Sequence, residues 1–279
     1  MDKPIITSLS NPLIKQARAL HQKKARAESG LFLVEGIHHV GEAVAAGWDL
    51  ESVLYAPQLL TSEFARDLIS RLSIKPQPVS VQVMESLADK ENPQGLIALV
   101  HQRKINLDSF QLPPPAMAKA RCVALVSPQD PGNVGTILRT MEAVGADALF
   151  LLDPGAGTRG SVELYHPAVV RSSMGTIFWK PVIQASFHEF LEWARREKFQ
   201  LIGSSARGDV EFQTFAPALP WVLVLGNEQK GLSDEQTREC DVTVSIPMMG
   251  RISSLNLAVA AGILLYRFTN LPDDWHSFL

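Results

Sequence analysis

The sequence predicts an α/β protein whose C-terminal half is built on a doubly wound parallel sheet. Strand-length apolar runs alternate with segments of helical spacing, which favours right-handed strand–helix–strand units. The runs are continuously apolar, as is typical of parallel strands covered on both faces. Polar, glycine-containing loops follow several of them, where α/β sheets carry their sites. The predicted strands of this half are 122–126, 148–152, 201–203 and 221–225.

The N-terminal half reads as a smaller α/β unit. Asn11 and Pro12 have the chemistry of a helix start, and Gly47 that of a helix end. Strands are predicted at 31–34, 52–55, 79–81 and 95–100, with helices between them. Three consecutive prolines then favour an extended spacer. We therefore expect a first domain over 1–104, a proline-rich linker over 105–119 and a second domain over 120–279.

Composition excludes several classes of protein. Of 279 residues, 46% are hydrophobic and 20% are charged, as in ordinary globular proteins. No apolar run approaches the ~20 residues that span a bilayer, and no apolar signal region opens the chain. Cys122 and Cys240 lie far apart, outside any CxxC spacing. We therefore expect no membrane span, no disulfide, no metal site and a cytoplasmic location.

Charge is distributed unevenly. The net charge is −3, yet the first 30 residues hold six basic and two acidic side chains. Such a basic stretch is either the footprint of a polyanionic partner or the solvated face of a helix.

The loop after the first strand of the second half leads into a helix closed by Gly145. Its apolar residues recur at helical spacing from Val134 to Val144. Asn133 lies at the helix start, where unpaired N–H groups meet polar or anionic ligands. Arg139 lies just off the apolar stripe, and is either a surface arginine or a fork for phosphate or carboxylate.

Two further loops also combine polar residues with glycine. In the loop after 221–225, Glu228 stands between Gly226 and Gly231, either as a placed carboxylate or within an ordinary turn. In the loop after 246, Ser253 and Ser254 are predicted to cap a C-terminal helix. The small residues of that helix indicate a closely packed neighbouring backbone.

The segment GAGTRG, residues 155–160, matches a dinucleotide-binding fingerprint and would make the protein an oxidoreductase. Pro154 interrupts its strand-to-turn step and Pro167 the helix that should follow. It also follows the second strand of the domain instead of the first. We therefore disfavour a nicotinamide or flavin site.

Three segments together carry a resemblance. NVGTILRT, LVLGNEQKGLS and IPMMGRISSLNLAVAAGI resemble, in order and spacing, the three motifs of the SpoU (TrmH-type) family of RNA ribose 2′-O-methyltransferases, in the SPOUT superfamily. The N-terminal half is similar to that family's ribosomal-protein-like substrate-binding domain. Met141 and Gln229 depart from the common motif pattern, which puts only loop geometry in doubt.

The resemblance implies a deep trefoil knot, S-adenosylmethionine as cofactor, a homodimer and a structured RNA substrate, with ribosomal RNA ahead of transfer RNA. It implies cofactor contacts at Gly203, Gly226, Ile246 and Leu255, and a catalytic set of Arg139, Asn133, Glu228, Ser254 and Asn256. Candidate RNA-binding residues are Arg18, Lys23, Lys24, Arg26 and Arg171. The alternative is a non-catalytic RNA-binding protein that keeps the fold.

Overall fold

The structure, a computed structural model, describes residues 3–89, 93–112, 116–153 and 162–269. The chain forms two compact units. The first comprises Met1–Arg103 with Glu163–Trp179, and the second comprises Lys104–Val162 with Lys180–Leu279. The segment Glu163–Trp179 lies inside the range predicted as a continuous second domain, and the observed grouping differs from the prediction there.

The first unit is a four-stranded sheet with helices. Its strands, in the order β1-β4-β2-β3, pair antiparallel except for the parallel pair β2–β3. The strands are β1 Leu31–Glu35, β2 Leu50–Tyr55, β3 Gln77–Pro78 and β4 Leu96–His101. The helices are α1 Pro12–Ala19, α2 Lys23–Ser29, α3 Ile37–Ala45, α4 Glu63–Ser70 and α5 Val81–Leu87.

Side-chain caps begin three of these helices, α1, α4 and α5. The Asn11 side chain accepts the Leu13 N–H at 2.9 Å, and Pro12 occupies the first helical position, as predicted. Ser80 accepts the Val83 N–H and so begins α5 at Val81. The predicted strand over 79–81 is therefore misplaced, because β3 lies two residues earlier and the cap at Ser80 ends the extended segment.

The second unit contains the predicted parallel sheet, with all described pairs of neighbouring strands parallel. The strand order is β7-β6-β5-β10-β8-β11-β9. The strands are β5 Arg121–Val126, β6 Ala148–Asp153, β7 Val182–Ser186, β8 Gln200–Ser204, β9 Val210–Glu211, β10 Trp221–Leu225 and β11 Val242–Ser245. The later helices are α6 Pro131–Val144, α7 Pro167–Ser172 (in the first unit), α8 Phe187–Arg196, α9 Asp234–Arg238 and α10 Leu257–Thr269.

The strand order places a topological switch beside β5. From β5 the chain adds β6 and β7 on one side, then crosses to β8, and β10 later fills the place between β5 and β8. The crevice at the carboxyl ends of such strands is the expected binding site of an α/β sheet.

Helix α6 ends at Val144, before Gly145, as the sequence predicts. Asp130 accepts the Gly132 N–H at 2.7 Å, and Gly145 closes the helix with a φ of +70°. Helix α10 packs against α6 and buries Ala261, Leu264 and Leu265. The neighbouring backbone predicted from the small residues of α10 is therefore α6 of the same chain, and Gly262 faces the Thr140 methyl group.

The predicted proline-rich spacer is only partly described, since 113–115 lie outside the described residues. Before them, Leu107 and Phe110 are buried in the apolar core of the second unit, where Phe110 contacts Phe150 and Trp193. This part of the linker is therefore packed structure and differs from an extended spacer, because two apolar side chains hold it to the sheet.

Candidate functional site

A cavity of about 380 Å³ opens at the carboxyl ends of β8, β10 and β11 in the second unit. Its volume falls in the range of roughly 300–1,000 Å³ that is usual for small-molecule sites. Three loops supply the wall, namely the segments that follow β8, β10 and β11. The lining residues are Ser204–Arg207, Leu225–Leu232, Ile246, Met248, Ser253–Leu255, Leu257 and Ala260.

Close backbone packing shapes the loop after β10. A Cβ on the buried Gly226 would overlap the backbone of Gly231 and Leu232, so only glycine fits there. Asn227 closes the turn, because its side-chain oxygen accepts the Gln229 N–H at 3.0 Å and the Lys230 N–H at 3.1 Å. The loop is therefore held in one conformation by its own residues.

Glu228 ties this loop to the start of α6. One carboxylate oxygen accepts the Gln129 N–H at 2.9 Å, and the other accepts the Asp130 N–H at 3.1 Å. The Asn133 side-chain NH₂ also donates to Glu228, at 3.2 Å. Three donors therefore stabilise the charged carboxylate and fix its position.

Asn133 and Asn256 extend this network to the third loop. The NH₂ of Asn133 points at a carboxylate, so its oxygen faces the other way and accepts from the Asn256 side chain at 3.0 Å. The Asn256 oxygen in turn accepts the Ala258 and Val259 N–H groups at 2.9 and 3.3 Å. Asn256 therefore caps α10, and the prediction that Ser253 and Ser254 cap it is wrong.

The sequence did not single out Ser127, which also joins two of the loops. It follows β5 with a φ of +51°, rare for a residue with a side chain. Its carbonyl accepts the Asn227 side-chain NH₂ at 2.9 Å and the Gln129 side-chain NH₂ at 3.0 Å. A serine at a strand end is common, so no sequence signal marks this role.

The structure brings together most, but not all, of the predicted site residues. Gly226, Glu228, Ile246, Ser254 and Leu255 line the cavity. Asn133 bonds to Glu228 of its wall, and Asn256 bonds to Asn133. Gly203 lies inside β8, where a Cβ would meet the Cys240 sulfur at 2.9 Å, and does not line the cavity.

Arg139 stands apart from this group. It lies on the exposed surface of α6, about 9 Å along the helix axis from Asn133 at 1.5 Å per residue. It is not among the residues that line the cavity.

The candidate RNA-binding residues of the first unit have different surroundings. Lys23 is exposed, and Lys24 is exposed beside Glu28. Arg18 is half-buried and donates to Ser86 at 3.0 Å. Arg171 is exposed and paired with Asp89.

The surroundings of Arg26 contradict its predicted role in RNA binding. Its side chain is 1% exposed and forms a two-pronged ion pair with Glu163, with N–O distances of 2.7 and 2.5 Å. A third N–H donates to the Leu20 carbonyl at 2.7 Å. Because its donors are occupied inside the protein, Arg26 is a structural residue, and the prediction that it contacts RNA is wrong.

Other expectations concern metals, membranes and cysteines. Within the described ranges, no group of three or more His, Cys, Asp or Glu side chains could hold a metal ion. The described helices include none long and apolar enough to cross a membrane. Burial raises the pKa of the Cys122 thiol, and burial with nearby carboxylates raises the pKa of Cys240 to about 12. The GAGTRG segment lies outside the described residues.

Comparison with known proteins places this site in a family. A model of the SpoU rRNA methylase family matches residues 120–266, and a model of an MRM3-like substrate-binding domain matches residues 11–98. A 23S rRNA (uridine(2479)-2′-O)-methyltransferase of Streptomyces viridochromogenes is 33% identical over 268 residues, covering 94% of this chain and 90% of that protein. The 23S rRNA (guanosine(2553)-2′-O)-methyltransferase RlmP of Bacillus subtilis is 29% identical, covering 94% and 97%.

Solved structures of methyltransferases also superpose on this chain. An AdoMet-bound rRNA methyltransferase from Sinorhizobium meliloti superposes with a TM-score of 0.82 at 33% identity, covering 95% of this chain and 96% of that one. The SpoU methyltransferase AviRb of S. viridochromogenes, in complex with AdoMet, gives a TM-score of 0.80 at 31% identity, covering 93% and 97%. The motif resemblance is thereby confirmed, and the chain belongs to the SpoU rRNA methylase family.

Proposed function

We propose that this protein transfers a methyl group from S-adenosylmethionine to a ribose 2′-hydroxyl of ribosomal RNA. The observation that carries the proposal is the hydrogen-bonded series Glu228–Asn133–Asn256, which joins all three family motifs at one cavity. Relatives named as 23S rRNA 2′-O-methyltransferases support the reaction and favour ribosomal over transfer RNA.

The cavity fits S-adenosylmethionine in size and chemistry. Its walls offer backbone groups and apolar side chains at Gly226, Ile246 and Leu255, which suit an adenosine ring system and its hydroxyls. Gly203 lies behind this wall within β8, close to the side chain of the lining residue Leu232. When bound, the cofactor supplies a methyl group on a positively charged sulfur, which needs no metal to become electrophilic.

The residues of the chain then have to position and polarise the RNA. A guanidinium is a positively charged donor and a poor base, so we assign Arg139 an electrostatic role toward the RNA phosphate and the developing negative charge on the ribose oxygen. Ser254, at the cavity wall, would orient the ribose. Asn133, Glu228 and Asn256 hold the loops in register, and positioning alone supplies several kcal/mol toward a bimolecular transfer.

The first unit would bind the RNA. The family model that matches it is described as substrate-binding. Lys23, Lys24, Arg18 and Arg171 are our candidate contacts, since three of them are exposed and Arg18 is half-buried. Structured RNA is recognised largely through its shape and its phosphates, and basic side chains are suited to contact phosphates.

We also propose a homodimer formed through α10. One face of this helix packs on α6, and the opposite face leaves Val259 and Tyr266 about half exposed, with Ile263 between them at helical spacing. An unpartnered apolar stripe of this kind favours association with a second copy. Sedimentation should give a dimer for the wild type and a monomer for Tyr266→Glu.

The trefoil knot, the domain limits and the location are further proposals. After β11, on the far side of β8, the chain returns past the loop at Gly226 to dock α10 on α6, which supports a threaded path. We keep a substrate-binding domain over 1–104 and a catalytic domain over 120–279. A cytoplasmic location suits an rRNA-modifying enzyme with two free cysteines.

Transfer of a tritiated methyl group from S-adenosylmethionine to ribosomal RNA tests the function, with the modified sugar mapped by 2′-O-methyl sequencing. We expect incorporation at a 2′-hydroxyl. RNA and cofactor binding without transfer would favour the alternative of a non-catalytic RNA-binding protein. Transfer RNA serves as the competing substrate in the same assay.

A further inference from the structure

We propose that Arg207 and Lys230 form the subsite that binds the α-carboxylate of S-adenosylmethionine. The inference rests on the proposed function, since it concerns the same cavity. It assigns a role to two side chains that none of the three motif resemblances singles out.

The cavity has more positively than negatively charged side chains in its lining. Among its lining residues, the charged side chains are Arg207, Lys230 and Glu228. Glu228 already accepts hydrogen bonds from three donors, two in the loop before α6 and one in the first turn of that helix. The lining therefore presents an excess of positive charge to whatever enters.

The two cations are available for a ligand. Within the described part of the chain, neither side chain forms a hydrogen bond or ion pair with the protein, and both are exposed. Of these two residues, only the backbone N–H groups donate hydrogen bonds to the described parts of the protein. That of Arg207 donates to the Ser205 hydroxyl at 3.2 Å, and that of Lys230 donates to the Asn227 side-chain oxygen at 3.1 Å.

The loop that carries Arg207 is held firmly although it lies at the surface. A Cβ on Gly208 would overlap the backbone of Val244 and Ser245, so this turn lies directly against β11. Asp209 is linked to the buried Thr243, whose hydroxyl donates to the carboxylate at 2.6 Å and accepts the Asp209 N–H at 3.1 Å. The position of Arg207 is thus fixed at its backbone before any ligand binds.

The ligand offers one matching group. S-adenosylmethionine carries a single anionic group, the carboxylate, and two cationic groups, the ammonium and the sulfonium. Two cations at the wall attract the first and repel the others, so they set the direction of the methionine tail. A guanidinium can hold a carboxylate with two parallel hydrogen bonds, and lysine adds a point charge.

Calorimetry with two ligands tests this assignment. Wild type, Arg207→Gln, Lys230→Gln and the double variant are titrated with S-adenosylmethionine and with decarboxylated S-adenosylmethionine, which lacks only the carboxylate. We expect the double variant to bind S-adenosylmethionine roughly tenfold more weakly, and each single variant about threefold, because the pair is partly screened by solvent. Binding of the decarboxylated ligand should be unchanged or tighter, because its two remaining charged groups are cationic and the variants remove the cations that repel them.

Arg238→Gln is the matched control, since Arg238 is an exposed arginine of the same unit outside the cavity wall. It should bind both ligands as the wild type does. Equal weakening of both ligands in the double variant, or no weakening of either, would overturn the assignment. So would unchanged cofactor affinity with a raised KM for RNA, which would place a phosphate at these cations.

Failure of the two proposals can be told apart. A wild type that binds no S-adenosylmethionine would overturn the proposed function together with this inference. This inference alone would be overturned if the wild type binds the cofactor and methylates RNA while the variants bind both ligands as tightly as the wild type does.

Discussion

The side-chain nitrogen of Asn256 lies 3.0 Å from the side-chain oxygen of Asn133, although 123 residues separate them in sequence. This bond joins the cap of α10 to the start of α6. Because Asn133 also donates to Glu228, the orientation of one amide fixes the other two groups.

Substitutions at Asn256 separate its two tasks. Asn256→Ala removes both the helix cap and the bond to Asn133, and should cost about 1 kcal/mol of unfolding free energy as well as activity. Asn256→Asp keeps an oxygen that caps α10 but loses the donor to Asn133. We expect the Asp variant to be about 1 kcal/mol more stable than the Ala variant, by denaturant titration, yet also to show a lower kcat. Wild-type kcat in the Asp variant would show that this bond is dispensable.

Arg139 should affect transfer without affecting the cofactor. Because it lies outside the cavity wall, Arg139→Gln should leave the Kd for S-adenosylmethionine within about twofold, while kcat falls roughly 100-fold through loss of electrostatic stabilisation. Arg139→Lys should recover part of the rate, since it keeps the charge but loses the fork. Calorimetry and single-turnover kinetics provide the two measurements. A parallel loss of cofactor affinity would contradict the role.

Gly226→Ala should damage the fold of the cavity. The added methyl group would overlap the Gly231 backbone, which cannot move as a side chain can. We expect a loss above the ~1–3 kcal/mol of ordinary overpacking, with no detectable cofactor binding. Gly250→Ala is the matched control in a neighbouring loop, because nothing lies within 4 Å of the added atom. Thermal unfolding of the two variants gives the comparison, and similar Tm values would refute the close approach.

The buried and exposed cations of α2 should differ in their contribution to stability. Arg26→Met leaves the carboxylate of Glu163 without its partner and should cost about 3–5 kcal/mol. Lys24→Ala removes an exposed pair at 3.8 Å and should change stability by less than about 1 kcal/mol. Urea denaturation measures both. A double Arg26→Met, Glu163→Leu variant should regain part of the loss.

His166 predicts a dependence of stability on pH. Its ring Nδ1 accepts the Ala168 N–H as the cap of α7, and burial together with Arg26 lowers its pKa. In the unfolded chain, where the histidine pKa is about 6.5, His166 therefore binds the proton more readily than in the folded chain. Stability should fall as the pH drops below that value toward the lowered pKa. In His166→Asn, which still caps but does not titrate, the dependence should be weaker across the same window. Identical pH profiles for both proteins would exclude this contribution.

The sequence predicted the convergence of the loops better than the contacts within it. The carboxyl ends of parallel strands meet at one edge, which predicts that the site lies among the polar loops that follow them. The family resemblance adds the expectation that Asn133, Glu228 and Asn256 belong to one set. Periodicity and Gly145 likewise predicted the end of α6. These features depend on local pattern and on the general rules of α/β sheets.

Other features depended on distant partners that no local pattern reveals. Arg26 reads as one more base of a charged stretch, but Glu163, 137 positions away, makes it a buried structural residue. Ser253 and Ser254 have capping chemistry, yet Asn256 caps α10 because the bond to Asn133 places its oxygen over the helix start. Where several residues share one local preference, the tertiary contact decides among them.

The dependence of the cavity on α10 has a consequence during synthesis. The wall begins with residues of the β8 loop, but Ile246, Leu255 and Ala260 complete it, and Asn256 closes the hydrogen-bonded series. A growing polypeptide released from the ribosome only as far as β11 has all seven described strands of this sheet and no finished binding site. Competence to hold a methyl donor is therefore gained late in translation, when α10 has emerged and docked.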